Sequence, residues 1–305
     1  MSSIAYRLPA GVFTATVTPL NQDLNPDHER LVQHIRWLLA RGNQGIALLG
    51  TTGEANSFSV DERIRLIDAV VDGGIPPRQL LIGTGCCALT DTAILTRHAH
   101  ACGAGGILLL PPFYYKGVTE QGLENYIDRL LDWVGQEDMQ IYLYHFPRLS
   151  GVPWPTSLVL KLVQKYPRQI VGMKDSGGDW AHTAEVLEKI PGFRMYAGSE
   201  RFLLSTLNAG GVGCISATTN LTSPEAHRVF QAWQEGLGEA EQQRLSALRD
   251  AFDGYAFIGA LKALFKHYTH EEGWAFTRPP NTLISESDTR QLLEKLRALD
   301  YQPNI

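Results

Sequence analysis

Cysteine is scarce in this 305-residue chain, and the four present, Cys86, Cys87, Cys102 and Cys214, show no CxxC spacing. The adjacent pair cannot easily share a bridge, so a disulfide framework has no support, and small buried thiols in a reducing cytoplasm fit instead. Long apolar runs are also missing. The longest, such as Gly106 to Pro112, are far too short to span a bilayer. There is no basic excess: a net charge of −5 and a pI near 6.0, with no run of Lys and Arg, argue against a nucleic-acid partner. The opening MSSIAYRLPAG carries neither a basic segment before an apolar one nor an Arg-rich amphipathic pattern, so no targeting peptide is expected. No GxGxxG turn follows the first strand candidate, where Thr18-Pro19-Leu20 stands instead.

What is present is a repeat of short apolar runs, each bounded by turn residues and followed by a helical pattern. The runs are Gly11–Val17, Gly45–Leu49, Leu80–Gly83, Gly106–Leu110, Gln140–Tyr144, Ile170–Met173, Arg194–Ala197 and Gly213–Ser216. Their starts fall 19 to 35 residues apart, enough for one helix between successive strands. Helix starts are legible at Asn25-Pro26-Asp27, Ser59-Val60-Asp61-Glu62, Thr90-Asp91, Thr119-Glu120 and Ser223-Pro224-Glu225. Eight such units predict an α/β fold closed as a (β/α)8 TIM barrel over residues 1–235. Residues 236–305 read as a C-terminal helical extension, with helices over Glu239–His267 and Glu286–Leu299 separated by Glu271–Leu283.

Active sites of such barrels lie at the C-terminal strand ends. There the sequence places Gly50-Thr51-Thr52-Gly53-Glu54, Pro111-Pro112-Phe113-Tyr114-Tyr115, Tyr144-His145-Phe146-Pro147, Lys174-Asp175-Ser176 and Gly198-Ser199-Glu200. A lysine ending the apolar strand Ile170-Val171-Gly172-Met173 would be desolvated in the barrel mouth, which favours the neutral, nucleophilic amine that Schiff-base chemistry needs. Its bland alternative is a side chain turned to solvent or paired with Asp175. Tyr144, one β/α unit earlier, could move protons beside it, although a tyrosine at a strand end more often simply packs. The Gly-Thr-Thr-Gly loop offers hydroxyls and close-packed backbone N–H groups suited to a carboxylate, but Gly/Thr turns are common. His145 should alternate to the far side of its strand, away from the chemistry. His98 and His100, two apart on a helix, should face different ways, and no His/Glu cluster supports a catalytic metal.

Taken together, Gly50-Thr51-Thr52-Gly53-Glu54, Pro112-Phe113-Tyr114-Tyr115, Tyr144-x-x-Pro147, Gly172-Met173-Lys174-Asp175-Ser176 and Gly211-x-Gly213-x-Ile215-Ser216 resemble the dihydrodipicolinate synthase / N-acetylneuraminate lyase family, in order and over nearly the whole chain. The resemblance implies a class I aldolase-type lyase, usually a homotetramer, with no metal and no dissociable cofactor. In it, pyruvate or the pyruvoyl end of a longer 2-oxo acid joins Lys174. Thr51 and Tyr144 relay protons with Tyr114, or Tyr115, reaching across a subunit interface. Thr52 with the backbone around Gly53 holds the carboxylate, and Ile215 lines the pocket through its carbonyl. Gly198, Glu200 and Arg148 are the candidates for the rest of the substrate, which would be an aldehyde.

The chain departs from the synthase pattern Tyr-Asn-x-Pro-x-Arg-x-Gly. It reads Tyr144-His145-Phe146-Pro147-Arg148-Leu149-Ser150-Gly151, with leucine where the arginine gripping aspartate semialdehyde would stand. The Leu-Ser-Gly ending looks more like the branches acting on neuraminate and 2-oxo-3-deoxy sugar acids. Those lyases tend to carry acids after the seventh-strand glycine, whereas Gly198-Ser199-Glu200-Arg201 keeps one acid and adds a base that, like Arg148, could meet an anion. The leading expectation is therefore cleavage or condensation of a pyruvate-derived 2-oxo acid with an aldehyde. A 4-hydroxy-tetrahydrodipicolinate synthase, a 2-oxo acid dehydratase and a non-enzymatic 2-oxo acid sensor are the alternatives.

Overall fold

The computed structural model describes residues 8–305; the start of the chain, where no targeting pattern was read, lies outside the described residues as far as residue 7. Eight parallel strands close into a barrel in sequence order: β1 (Gly11–Ala15), β2 (Gly45–Leu48), β3 (Leu80–Gly83), β4 (Gly106–Leu109), β5 (Ile141–His145), β6 (Ile170–Asp175), β7 (Arg194–Ala197) and β8 (Gly213–Ser216). The (β/α)8 expectation is met, and each strand falls within two residues of its expected bounds. The helices are α1 (His28–Leu39), α2 (Val60–Asp72), α3 (Leu89–Ala101), α4 (Glu120–Val134), α5 (Pro147–Ser150) and α6 (Thr156–Lys165). They continue with α7 (Trp180–Lys189), α8 (Leu203–Asn208), α9 (Thr219–Gln234), α10 (Glu239–Asp250), α11 (Phe257–Thr269) and α12 (Glu286–Ala298). No described helix is long and apolar enough to cross a membrane.

Alternation along each strand splits the side chains into two layers. Phe13, Ala47, Leu81, Leu108, Tyr142, Tyr144, Val171, Tyr196 and Ile215 fill the barrel interior. Ile46, Ile82, Ile107, Leu143, Met173 and Met195 face outward against the helices. A register irregularity between β5 and β6, after the pairing Ile141–Ile170, inserts one extra residue into β6. Past it Tyr144 pairs with Lys174, and both point into the barrel. Glycine is required at Gly172, because a Cβ there would come within 2.4 Å of the Arg194 carbonyl and 2.5 Å of the Tyr142 ring.

Caps explain most helix starts. Asp27, Ser59 and Thr119 accept hydrogen bonds from the first-turn backbone, and Ser59 with Glu62 completes a capping box. Three local readings are corrected. Thr90 is not a cap, since α3 begins one residue earlier after Ala88, which makes no side-chain cap. Helix α9 begins at Thr219 and carries Pro224 inside it; the preceding turn is held by Asn220, which accepts from the Val17 amide and donates to the Ala15 carbonyl. The segment Glu239–His267 is two helices, because the chain turns at Gly254 in a left-handed conformation with φ of 90°. Helices α10 to α12 contribute Leu248, Leu261, Leu264, Phe265, Leu292 and Leu296, and the turn after α10 contributes Phe252, to a cluster that also includes Val17 and Leu221 next to the barrel.

Candidate active site

The barrel mouth gathers Lys174, Tyr144 and Thr51 from three different strand ends. Lys174 is buried at 4 % exposure, and its Nζ lies 4.5 Å from the centre of the Tyr144 ring. The Tyr144 hydroxyl is 3.4 Å from Thr51 Oγ1. The next pocket wall is made by Gly50, Asn56, Gly83, Leu108 and Leu110. Asn56 was not singled out from sequence, since an asparagine in a loop carries no distinctive signal.

The bland reading of Lys174, an ion pair with its neighbour Asp175, does not hold. Asp175 points outward and accepts from the Gly177 amide at 2.8 Å, from Thr183 Oγ1 at 2.9 Å and from His182 at 2.7 Å. His145 likewise faces away from the mouth, as alternation requires. It stacks on His182 with centroids 4.1 Å apart and accepts from the Trp154 amide. Burial holds the His145 imidazole down at about 4, the Asp175 charge offsetting this only in part. Burial is the largest influence on both Asp175 and His182 and opposes their ionisation, but their mutual hydrogen bond, their charges and backbone hydrogen bonds together outweigh it, lowering the carboxyl and raising the imidazole. This layer behind β5 and β6 fixes the backbone that carries Tyr144 and Lys174.

The Gly50–Glu54 loop is shaped by backbone that most residues avoid. Leu49 and Glu54 bracket it with φ of 59° and 57°. Thr18 Oγ1 donates to the Gly53 carbonyl at 2.8 Å, and Thr52 and Gly53 are buried. The loop is gripped from behind as well: Lys262 on α11 donates to Glu54, with neither side chain accessible, and the Arg278 amide donates to the same carboxylate at 3.0 Å. Lys262 was missed in the sequence, although a charge within the apolar run Ala260-Leu261-Lys262-Ala263-Leu264-Phe265 is a visible anomaly.

The remaining candidates separate. Ile215 is in the interior beside this group. Gly198 donates its amide to the Asp175 carbonyl at 2.6 Å; a Cβ there would sit 2.0 Å from Ser176 Oγ. Glu200 is fully buried and surrounded by hydroxyls, accepting from Ser216, Thr218 and Thr222, so its carboxylate is committed to holding β8 and α9. Arg201 is engaged by Asp250 and Asp253 and is not available for an anion. Arg148 is exposed on the rim in α5. Tyr114 and Tyr115 stand 73 % and 71 % exposed, their rings 5.3 Å apart, outside the Lys174 group of the same chain.

A model of the dihydrodipicolinate synthetase family matches residues 8–299. An uncharacterized DapA-like lyase of Chloroflexus aurantiacus is 38 % identical over 258 residues, covering 84 % of this chain and 85 % of that protein. Dihydrodipicolinate synthase from Agrobacterium tumefaciens superposes with a TM-score of 0.88 at 29 % identity, over 95 % of this chain and 99 % of the other. YagE, a prophage protein of Escherichia coli K12 belonging to the dihydrodipicolinic acid synthase family and solved in complex with pyruvate, gives 0.85 at 25 % identity, over 95 % and 98 %.

Proposed function

The chain belongs to the dihydrodipicolinate synthetase family and is a lyase, and on that premise we propose that it works through a Schiff base between Lys174 and pyruvate or a pyruvate-derived 2-oxo acid. The observation that carries this reading is the buried Lys174 amine lying against Tyr144, with the nearest carboxylate in sequence, Asp175, turned away and occupied. A buried amine held beside a phenol that can move protons is placed to attack a carbonyl carbon.

Nζ adds to the C2 carbonyl carbon, and the carbinolamine loses its oxygen as water, with Tyr144 delivering the proton and Thr51 returning one to it. The protonated imine draws electrons from C3. In cleavage, the C3–C4 bond of a 4-hydroxy-2-oxo acid breaks, its electrons enter the enamine and the C4 hydroxyl loses a proton as the aldehyde forms. Condensation is the reverse. Thr52 and the backbone around Gly53 receive the carboxylate at a loop preshaped by its Glu54 anchor. Ile215 walls the imine. Gly198 and Arg148 face the far end of the substrate, and Glu200 supports that end by fixing the β8 loop.

Exposed Tyr114 fits a homotetramer in which it enters the mouth of a second copy, completing the relay, with Tyr115 as the other candidate. Four free cysteines suit a cytoplasmic enzyme. A 2-oxo-3-deoxy sugar acid is the preferred substrate. The second reading, synthesis of 4-hydroxy-tetrahydrodipicolinate from pyruvate and aspartate semialdehyde, is favoured only by Arg148 on the rim, since the position that would grip the semialdehyde is the exposed Leu149. Coupled assays of pyruvate release from 2-oxo-3-deoxy acids and of pyruvate consumption with aspartate semialdehyde separate the two. Higher kcat/KM with the semialdehyde would overturn the sugar-acid assignment.

A further inference from the structure

On the outer helical layer, Asp68 of α2 meets His98 and Cys102 of α3. His98 and Cys102 are one helical turn apart, so their side chains share a face, and that face looks across at Asp68. His98 Nε2 lies 2.6 Å from Asp68 Oδ1 and 3.5 Å from Cys102 Sγ, and the sulfur lies 3.8 Å from the same carboxylate oxygen. These three distances define a triangle whose centre is about 2.0 Å from each corner, close to the 2.0–2.3 Å at which zinc holds nitrogen, oxygen and sulfur. An ion raised slightly above that plane meets all three atoms with little side-chain movement. Its open side faces water, because Asp68 and His98 keep 43 % and 26 % of their side-chain surface exposed.

We propose that Asp68, His98 and Cys102 form a surface site for one borderline-soft divalent cation, zinc being the best match, that pins α2 to α3. Carboxylate and thiolate supply two negative charges and the neutral imidazole none, which balances a divalent ion; a nitrogen, sulfur and oxygen set selects zinc over magnesium or calcium. On binding, the thiol proton leaves to water, and the imidazole stays neutral with its one proton on Nδ1 while Nε2 takes the ion. A second cluster, His145, Asp175 and His182, has comparable composition but is closed to an ion by its existing partners, the Trp154 amide and carbonyl, Thr183 and the Gly177 amide. The pairing at the surface was not visible from His98 and His100, which do face different ways, His100 lying 3.5 Å from Asp138.

The test titrates the chelator-stripped full chain with zinc chloride by calorimetry and with cobalt chloride by absorption. The expected result is one ion per chain and a thiolate-to-cobalt charge-transfer band in the near ultraviolet. In Cys102→Ser the band disappears, and zinc affinity falls by more than the roughly 10–100-fold that loss of an outer-shell partner costs. Asp68→Asn also weakens zinc, while Cys87→Ser changes neither signal, and all three variants keep wild-type turnover as the check on folding. Absence of saturable binding in the wild type, or a band that survives in Cys102→Ser, would overturn the proposal.

Discussion

Lys262 donates to Glu54 across 208 residues of chain, and this buried pair joins the C-terminal helices to the loop that carries Thr51 and Thr52. Burial lowers the Lys262 ammonium from its ordinary value, with Glu54 working against that shift, so the lysine is worth most as the partner of this one carboxylate. Removing it strands a charge. Lys262→Met is expected to lower stability by about 3–5 kcal/mol in urea unfolding, the range for breaking a buried pair from one side. The same variant should raise KM for the 2-oxo acid more than it lowers kcat, because the carboxylate loop loses its anchor. Adding Glu54→Gln should recover part of the stability; an unchanged unfolding midpoint in Lys262→Met contradicts the role.

Tyr144 sits between Lys174 and Thr51, touching the first with its ring and the second with its hydroxyl. Tyr144→Phe keeps the ring and removes the proton. Turnover is expected to fall 10²–10⁴-fold, the usual worth of a positioned acid–base group, while imine formation with pyruvate is slowed but detectable by trapping. Loss of trapping with turnover intact would reverse the assignment.

Gly198 lies where the ends of β6 and β7 press together. A Cβ there would be 2.0 Å from Ser176 Oγ and 2.6 Å from the carbonyl of Asp175, the residue after Lys174. Gly198→Ala should cost about 1–3 kcal/mol as an overpacking change and reduce kcat/KM by shifting Lys174. Thermal unfolding and steady-state kinetics measure the two effects, and a variant with native values in both would show that the contact relaxes freely.

His34 is enclosed by Trp37, Phe265 and Trp274 and bonded to Asn220 Oδ1 at 3.0 Å. Burial lowers it to about 4, the Asn220 hydrogen bond offsetting this in part. Its folded value lies below its unfolded value near 6.5, so the unfolded chain takes up the proton first. Stability from this group is complete above pH 6.5 and is lost as pH falls toward 4, by about 3 kcal/mol for the 2.5-unit difference. His182 runs the other way, since its raised value contributes below pH 6.5 and fades as pH rises. Urea unfolding at pH 7 and pH 4.5 should show the loss, and His34→Gln should reduce it; equal pH dependence in both proteins counts against the assignment.

The strand ends were legible because a barrel strand buried on both faces must be an apolar run, and a lysine terminating one stands out. That is how Lys174 and Tyr144 emerged, and why their common inward direction agrees with simple alternation plus one extra residue in β6. Glu200 misled, because position after a strand does not say whether a carboxylate opens to the mouth or is closed over by Ser216, Thr218 and Thr222. The start of α9 before Pro224 was hidden for a similar reason: local propensity is overridden by long-range contacts, here those from Asn220 in the first turn of α9 to the backbone of Ala15 and Val17. Lys262 and Glu54 lie too far apart in sequence for any local pattern to pair them.

The covalent bond at Lys174 can be captured by borohydride reduction in the presence of pyruvate. Intact-mass measurement and peptide mapping should find one reduced pyruvyl group per chain, on Lys174, and none in Lys174→Ala. An adduct on another lysine, or none in the wild type under conditions of turnover, would contradict the account.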